Sequence, residues 1–311
     1  MTGLPVRLAA ELEVRPEEQR WLIEELWAER GVGILGGEPK LGKSWIALDA
    51  AVSVASGTPC LRRFRVPHPG PVLLYAAEDA LHIVRERLDA ITRAAGVALE
   101  GLPLHVITAA SVRLDLPRDR ERLQKTVARL SPRLLVLDPF VRLHRVDENV
   151  ASEVAPLLAF LRHLERELAV AILLVHHARK SGGARAGQAL RGSSELHAWG
   201  DSNLYLRRRS DATSLTIEHR AAPSPPPLLV ALREVHGGLS MAMAERSPPP
   251  TETHAPTPLD RVFEVLDPAP LTVRELRRRC RMNTAALCEA LSDLVTSGRA
   301  CKTATGYHRV A

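Results

Sequence analysis

Gly36-Gly37-Glu38-Pro39-Lys40-Leu41-Gly42-Lys43-Ser44 is the stretch that decides how this chain is read. Gly37, Gly42, Lys43 and Ser44 complete the pattern G-x-x-x-x-G-K-S, a phosphate-binding P-loop. The glycines let backbone N–H groups close around phosphate oxygens, Lys43 can reach the β and γ phosphates, and the Ser44 hydroxyl can ligate Mg2+. Gly37, Glu38, Pro39, Lys40, Leu41, Gly42, Lys43, Ser44 and Trp45 are therefore the expected nucleotide-binding residues. Such a loop should follow a strand and open a helix. Val32 to Leu35 is a short apolar run, and Trp45 to Ser56 is Ala-rich and ends before Gly57, which supplies both.

Outward from the loop, apolar runs alternate with helical patterns through the first two hundred residues, the signature of βαβ units and a parallel sheet. The expected strands are Gly33 to Leu35, Val72 to Ala76, Leu104 to Ile107, Leu134 to Leu137, Ala171 to Val175 and Asn203 to Leu206. Several are continuously apolar, as befits strands covered by helices on both faces. Helices are expected at Leu81 to Ala95, Arg118 to Leu130 and Ser152 to Leu168. Ser214 to His219 and Leu228 to Val235 read as two further strands joined by a Pro-rich turn, an antiparallel edge to the sheet.

Residues 245 to 258 run Glu-Arg-Ser-Pro-Pro-Pro-Thr-Glu-Thr-His-Ala-Pro-Thr-Pro and read as a linker. Beyond it, Thr272 with Glu275 forms a capping box, and Asn283 can cap a helix whose Leu287, Leu291, Leu294 and Val295 share a face. Arg299 to Thr303 and Tyr307 to Val310 flank an Ala-Thr-Gly turn. That is the layout of a winged helix-turn-helix. The expected fold class is α/β, with a mostly parallel P-loop NTPase core over residues 1–244, the linker, and a winged-helix-like domain over 259–311.

The 311 residues are 45% hydrophobic and 25% charged, ordinary for a globular chain, and no apolar run approaches the roughly 18 residues of a membrane span. The start of the chain intersperses Glu and Arg and lacks the pattern of a secretory signal, so no membrane partner and a cytoplasmic location are expected. Cys60, Cys280, Cys288 and Cys301 are scattered without metal-site spacing and are expected to be free buried thiols. A formal charge of +6 favours an anionic partner. About half of that excess lies beyond Leu259, where nine Lys or Arg face six Asp or Glu.

A P-loop alone fits kinases, GTPases and motor ATPases, so further elements must discriminate. Leu134 to Asp138 is an apolar strand ending in a carboxylate, which is what a Walker B residue needs to hold Mg2+. Asp138 is the expected metal residue alongside Ser44. No N-K-x-D guanine pattern is present. Glu78, after the strand Val72 to Ala76, is placed to orient or deprotonate an attacking water, with Asp79 a competitor and a helix-capping role for Glu78 an equal alternative. His176-His177 closes the fifth strand, and by itself the pair reads as strand-end histidines satisfied locally.

G-G-E-P-K-L-G-K-S, Y-A-A-E-D, L-V-L-D-P, L-L-V-H-H and A-L-R-G-S-S together resemble the RecA-like ATPases of the hexameric helicase superfamily, in particular stand-alone plasmid replicative helicases of the RepA type. The similarity spans roughly residues 20 to 235. It implies a RecA-like core, ATP and Mg2+ as ligands, Lys43 and Ser44 on phosphate and Mg2+, Glu78 as catalytic base and Asp138 as the Walker B residue. It makes His177, with His176 as the alternative, a γ-phosphate sensor, and Arg191 an arginine finger inserted into a neighbouring subunit of a homo-oligomer, a hexamer. The basic segment from Lys180 to Gly192 would face a central channel, where Lys180 and Arg185 track single-stranded DNA.

This chain departs from that pattern in its tail. If the tail is a winged helix, the helix from Asn283 to Ser297 would enter the major groove of duplex DNA, but Ala285, Ala286, Ser292, Glu289 and Asp293 suit bases and phosphates poorly. Arg277, Arg278, Arg279 and Arg281 could grip the backbone, with Arg278 and Arg281 the expected contacts; a protein-binding role is the rival. The expected activity is a nucleic-acid-dependent ATPase, a DNA helicase of replication. The alternative is a DNA-binding regulator or repair accessory protein that ATP switches without unwinding, and a small-molecule kinase is weaker still because no lid is evident.

Overall fold

The computed structural model describes residues 4–12, 14, 16, 19–177, 194–209, 212–244, 258–267, 269–280, 282–303 and 305–310. The chain divides into two compact units, residues 1–245 and 246–311.

The P-loop strand β3 (Val32–Gly37) lies buried along its whole length in a nine-stranded sheet. Its parallel neighbours are β7 (Ala171–His177) on one side and β8 (Ser202–Arg209) on the other. Beyond β7 come β6 (Leu134–Asp138), β4 (Val72–Ala76) and β5 (Leu104–Val106), all parallel. Beyond β8 the sheet continues as an antiparallel meander of β9 (Ala212–His219), β10 (Leu228–Val235) and β11 (Gly238–Met243). A short hairpin, β1 (Trp21–Ile23) and β2 (Trp27–Ala28), precedes β3.

Helices cover both faces, and strand alternation assigns residues to them. Val72, Leu74, Leu134, Val136, Leu173 and Val175 pack with α1 (Lys43–Ser56) and α2 (Leu81–Ala95). Leu73, Tyr75, Leu135, Leu137, Ile172 and Leu174 pack with α3 (Pro117–Leu130) and α4 (Ala151–Leu168), and a short α5 (Ser194–Trp199) adds Leu196. Two covered faces explain why these strands carry no polar alternation. Gly33 is needed for close approach: a Cβ there would fall 1.7 Å from the Ser202 carbonyl oxygen.

The expected βαβ order and antiparallel edge are present. β4, α2 and β10 have the expected bounds, while β1, β2, α5 and β11 are additions. β11 reads Gly-Leu-Ser-Met-Ala-Met and lacks the β-branched residues that mark strands. It is held by packing instead, since Gly238 sits where a Cβ would meet the Ala90 carbonyl oxygen of α2 at 2.2 Å. Among the described residues, no helix is long and apolar enough to cross a membrane.

The second unit holds α6 (Pro258–Val265), α7 (Val273–Cys280), α8 (Thr284–Thr296) and the hairpin β12 (Ala300–Thr303) with β13 (Gly306–Arg309). Its capping box forms, with the Thr272 N–H donating to Glu275 Oε2 at 2.9 Å and the Glu275 N–H to Thr272 Oγ1 at 3.3 Å. Asn283 Oδ1 accepts from the Ala286 N–H at 2.8 Å and caps α8. Val262, Leu276, Leu287, Leu291 and Leu294 form the core. Val295 is 38% exposed, so the expected apolar face is one residue narrower. The cysteine expectation holds only in part: all four thiols are free, but Cys288 and Cys301 are exposed because α8 and β12 turn them away from this small core.

Candidate functional site

Four parallel strands end at one edge of the sheet, and register decides what meets there. Gly37 pairs with His177 across β3 and β7, and Ala76 with Asp138 across β4 and β6. The loop from Glu38 to Gly42 then opens α1, with Lys40 and Gly42 at positive φ (66° and 89°). The positive φ favours glycine at position 42, where a Cβ would also crowd the flexible Met241 side chain at 3.1 Å from Sδ. These groups enclose a cleft of about 510 Å³ lined by Pro39 to Trp45, Glu78, Asp79, Asp138 and His177, with Arg87 of α2 and Thr213, Ala231, Leu232 and Met241 of the antiparallel strands.

Lys43 is buried, and its Nζ donates to the carbonyl oxygens of Gly37 at 2.9 Å and Glu38 at 2.7 Å. Burial pushes its pKa down to about 8, against the pull of Asp138, Glu78 and Glu38. Asp138 is 9% exposed, and burial raises it to about 6, opposed by a hydrogen bond from Ser44 and the charge of Lys43. A buried carboxylate of this kind is relieved by a cation. Among the described residues no cluster of three or more His, Cys, Asp or Glu could hold a metal by itself. Ser44 and Asp138 are thus a partial donor set, which suits Mg2+ because that ion keeps waters and takes phosphate oxygens.

Glu78 Oε1 accepts from Arg142 Nε at 2.8 Å, and its Oε2 lies 3.9 Å from His177 Nε2. Asp79 pairs with Arg87 at 2.5 Å, and the Arg87 guanidinium sits 5.7 Å from the centroid of the Trp45 ring. The two carboxylates that compete in sequence therefore have different partners. The histidines also part company, because adjacent strand residues face opposite sides. His177 lines the cleft, where burial and then the charge of Lys43 lower its pKa. His176 is 1% exposed, turned toward Phe140, and its Nε2 is 3.2 Å from Glu148 Oε2. His144 Nε2 lies 3.3 Å from Glu148 Oε1, close enough for an ion pair but too poorly aligned for a hydrogen bond.

Residues 4–183 match the model of the AAA domain family. The chain belongs to that family. The matched span of the AAA domain holds the P-loop, Glu78, Asp138 and His177; β8 to β11 and the second unit lie beyond it. The fold of this AAA domain chain is also similar to a solved structure described as a DnaB-like replicative helicase and its interactions with primase, at 15% identity and a TM-score of 0.53. The likeness covers 68% of this chain, which spans 57% of the length of that one, and it establishes a RecA-like α/β fold.

Lys43, Ser44, Glu78, Asp138 and His177, expected from sequence, are brought together in this AAA domain. Lys180, Arg185, Arg191 and Arg281 lie outside the described residues, and Arg278 is exposed on α7. Sequence reasoning missed Arg87, Arg142, Leu232 and Met241. Nothing in a single chain signals that β11 folds back against the P-loop, whereas Arg142 lies only four residues beyond Asp138 in the sequence.

Proposed function

We propose that the chain is a nucleic-acid-dependent ATPase that assembles as a ring, a hexamer, and acts as a replicative DNA helicase. The observation that carries this reading is the convergence of Lys43, Ser44, Glu78, Asp138 and His177 on one cleft at the carboxyl ends of β3, β4, β6 and β7. Trp45, Leu232 and Met241 give the cleft an apolar wall suited to a nucleobase. Loop N–H groups would cradle the phosphates, and Lys43, which donates to the backbone carbonyls of Gly37 and Glu38, would turn to them. Bound Mg2+, held by Ser44 and Asp138, would neutralise charge that develops on the phosphate oxygens. Glu78 would accept the proton of the attacking water, and His177 would contact the γ phosphate. Arg191 is proposed as the finger that completes a neighbour's site, and Lys180 and Arg185 as contacts to single-stranded DNA.

ATP hydrolysis measured with and without single-stranded DNA, together with light-scattering mass, tests the reading. Strong stimulation with a hexamer-sized mass supports it, and Lys43→Ala should lose at least a hundredfold in turnover. Full turnover in that variant would sink the assignment. A second reading is favoured by the three helices and hairpin of the second unit, with Arg277 and Arg278 exposed on α7. This unit is proposed as a winged helix that contacts duplex DNA, making the chain an ATP-switched regulator. DNA-stimulated turnover without strand displacement on a forked duplex would favour it.

A further inference from the structure

α8 stands third among the helices of the second unit, the place of the helix that enters the major groove in a helix-turn-helix protein, yet it carries the wrong charge for that task. It runs Thr-Ala-Ala-Leu-Cys-Glu-Ala-Leu-Ser-Asp-Leu-Val-Thr, with two carboxylates and no cation, and both Glu289 and Asp293 are exposed. Laid in a groove with phosphates on either side, such a helix repels the duplex it should read. The cations lie elsewhere. After Asp293 the chain through residue 311 holds Arg299, Lys302 and Arg309 and no acidic residue.

The hairpin after α8 gathers these three. Ala300 pairs with Arg309 and Lys302 with Tyr307 across β12 and β13, and strand alternation puts the four side chains on one face. Arg299, one residue ahead of β12, and Arg309, at the end of β13, both bring their guanidiniums over the ring of Phe263 on α6, at 4.0 and 4.2 Å from its centroid. Lys302 Nζ lies 5.8 Å from the centroid of the Tyr307 ring. All three cations are exposed, and among the described residues none of them pairs with a carboxylate. Asp267, whose carbonyl accepts from the Arg309 N–H, gives its carboxylate to Arg279 at 3.2 Å instead.

Stacking holds the two arginines in place before any ligand arrives, so less side-chain freedom is lost on binding. Phe263, partly buried against the unit's core and flanked by both guanidiniums, is a poor platform for a stacked base of a single strand. Guanidinium forks with no acid beside them suit phosphate oxygens. We propose that the second unit grips duplex DNA by its phosphates through Arg299, Lys302 and Arg309, with α8 outside the major groove, so that it holds DNA without reading its sequence. This inference rests on the second unit contacting duplex DNA.

The test is fluorescence anisotropy of the nucleotide-free full chain on two labelled duplexes of equal length and unrelated sequence, which should bind equally. Arg299→Gln and Arg309→Gln should each weaken binding roughly threefold, and the double variant roughly tenfold, by the same factor on both duplexes. The slope of log K against log salt should fall by about one for each cation removed. Phe263→Leu keeps both charges but frees their side chains, so affinity should drop roughly twofold with the slope unchanged. Ala285→Trp, on the exposed first turn of α8, should bind as wild type does. Should the arginine variants fail to fold, Lys302→Gln, on an exposed side chain, carries the same single-residue expectation. Unchanged affinity and slope in the double variant overturn the inference. A marked loss in Ala285→Trp, or a preference of wild type for one duplex, overturns it as well, because either puts α8 in the groove. Wild type that binds neither duplex removes the second reading itself, and binding of labelled polyglutamate would then point to an acidic protein partner. Duplex binding that the double variant retains in full defeats only the role of the hairpin cations.

Discussion

A single carboxylate, Glu148, organises more of the site than its place in a loop suggests. Burial alone would raise its pKa, but the imidazoles of His144 and His176 outweigh burial and hold it down to about 2, from an ordinary 4.5. A depressed carboxylate stabilises the fold above its unfolded value and loses that contribution as pH falls toward the folded one. The shift corresponds to roughly 3 kcal/mol at most. Glu148→Gln should therefore be less stable than wild type by up to that amount at neutral pH in urea unfolding. The gap should begin to close below about pH 5 and vanish only as pH falls through the folded value of about 2. A gap that stays constant with pH would mean that shape, not charge, holds the cluster. The same residue shows what sequence conceals. Residue types alone do not separate His176 from His177, and strand alternation with Glu148 on one side makes one a buried anchor and the other a cleft histidine.

Among elements, α1 has the most constrained environment. Its Ala-rich sequence is apolar around nearly its whole circumference, which marks a helix buried on all sides. One buried acid, Asp49, ties it down. Its carboxylate accepts from the Leu61 N–H at 2.6 Å, Arg62 Nη2 at 2.7 Å and Ser240 Oγ at 2.9 Å. Ser240 lies on β11 next to Met241, the side chain packed against Gly42 of the P-loop. Asp49→Ala should cost about 3–5 kcal/mol, because it strands a partly buried guanidinium and an amide. It should also raise KM for ATP by loosening β11 against the loop. A denaturation midpoint that hardly moves would show that water replaces the carboxylate.

For the whole molecule, the division into two units has a thermodynamic consequence. The clusters that flank the large sheet and the cluster around Val262 and Leu291 share no residue. A chain ending at Glu245 should keep the main calorimetric transition of the full protein at an unchanged midpoint, since its core is complete. A lower midpoint would show that the second unit stabilises the first.

The P-loop, the βαβ order and the bounds of β4, α2 and β10 were legible because local rules govern them: glycine and lysine spacing, apolar runs and capping residues. Lys43, Ser44, Glu78, Asp138 and the histidine pair were legible because each sits at the end of a readable strand or loop. Tertiary structure alone decided that His177 and not His176 lines the cleft, that Arg142 engages Glu78 and Arg87 engages Asp79, and that β11 closes the wall with Met241. Those contacts join residues separated by up to two hundred positions, and they arise from strand order, register and the close approach of backbones, none of which leaves a periodic trace in one chain.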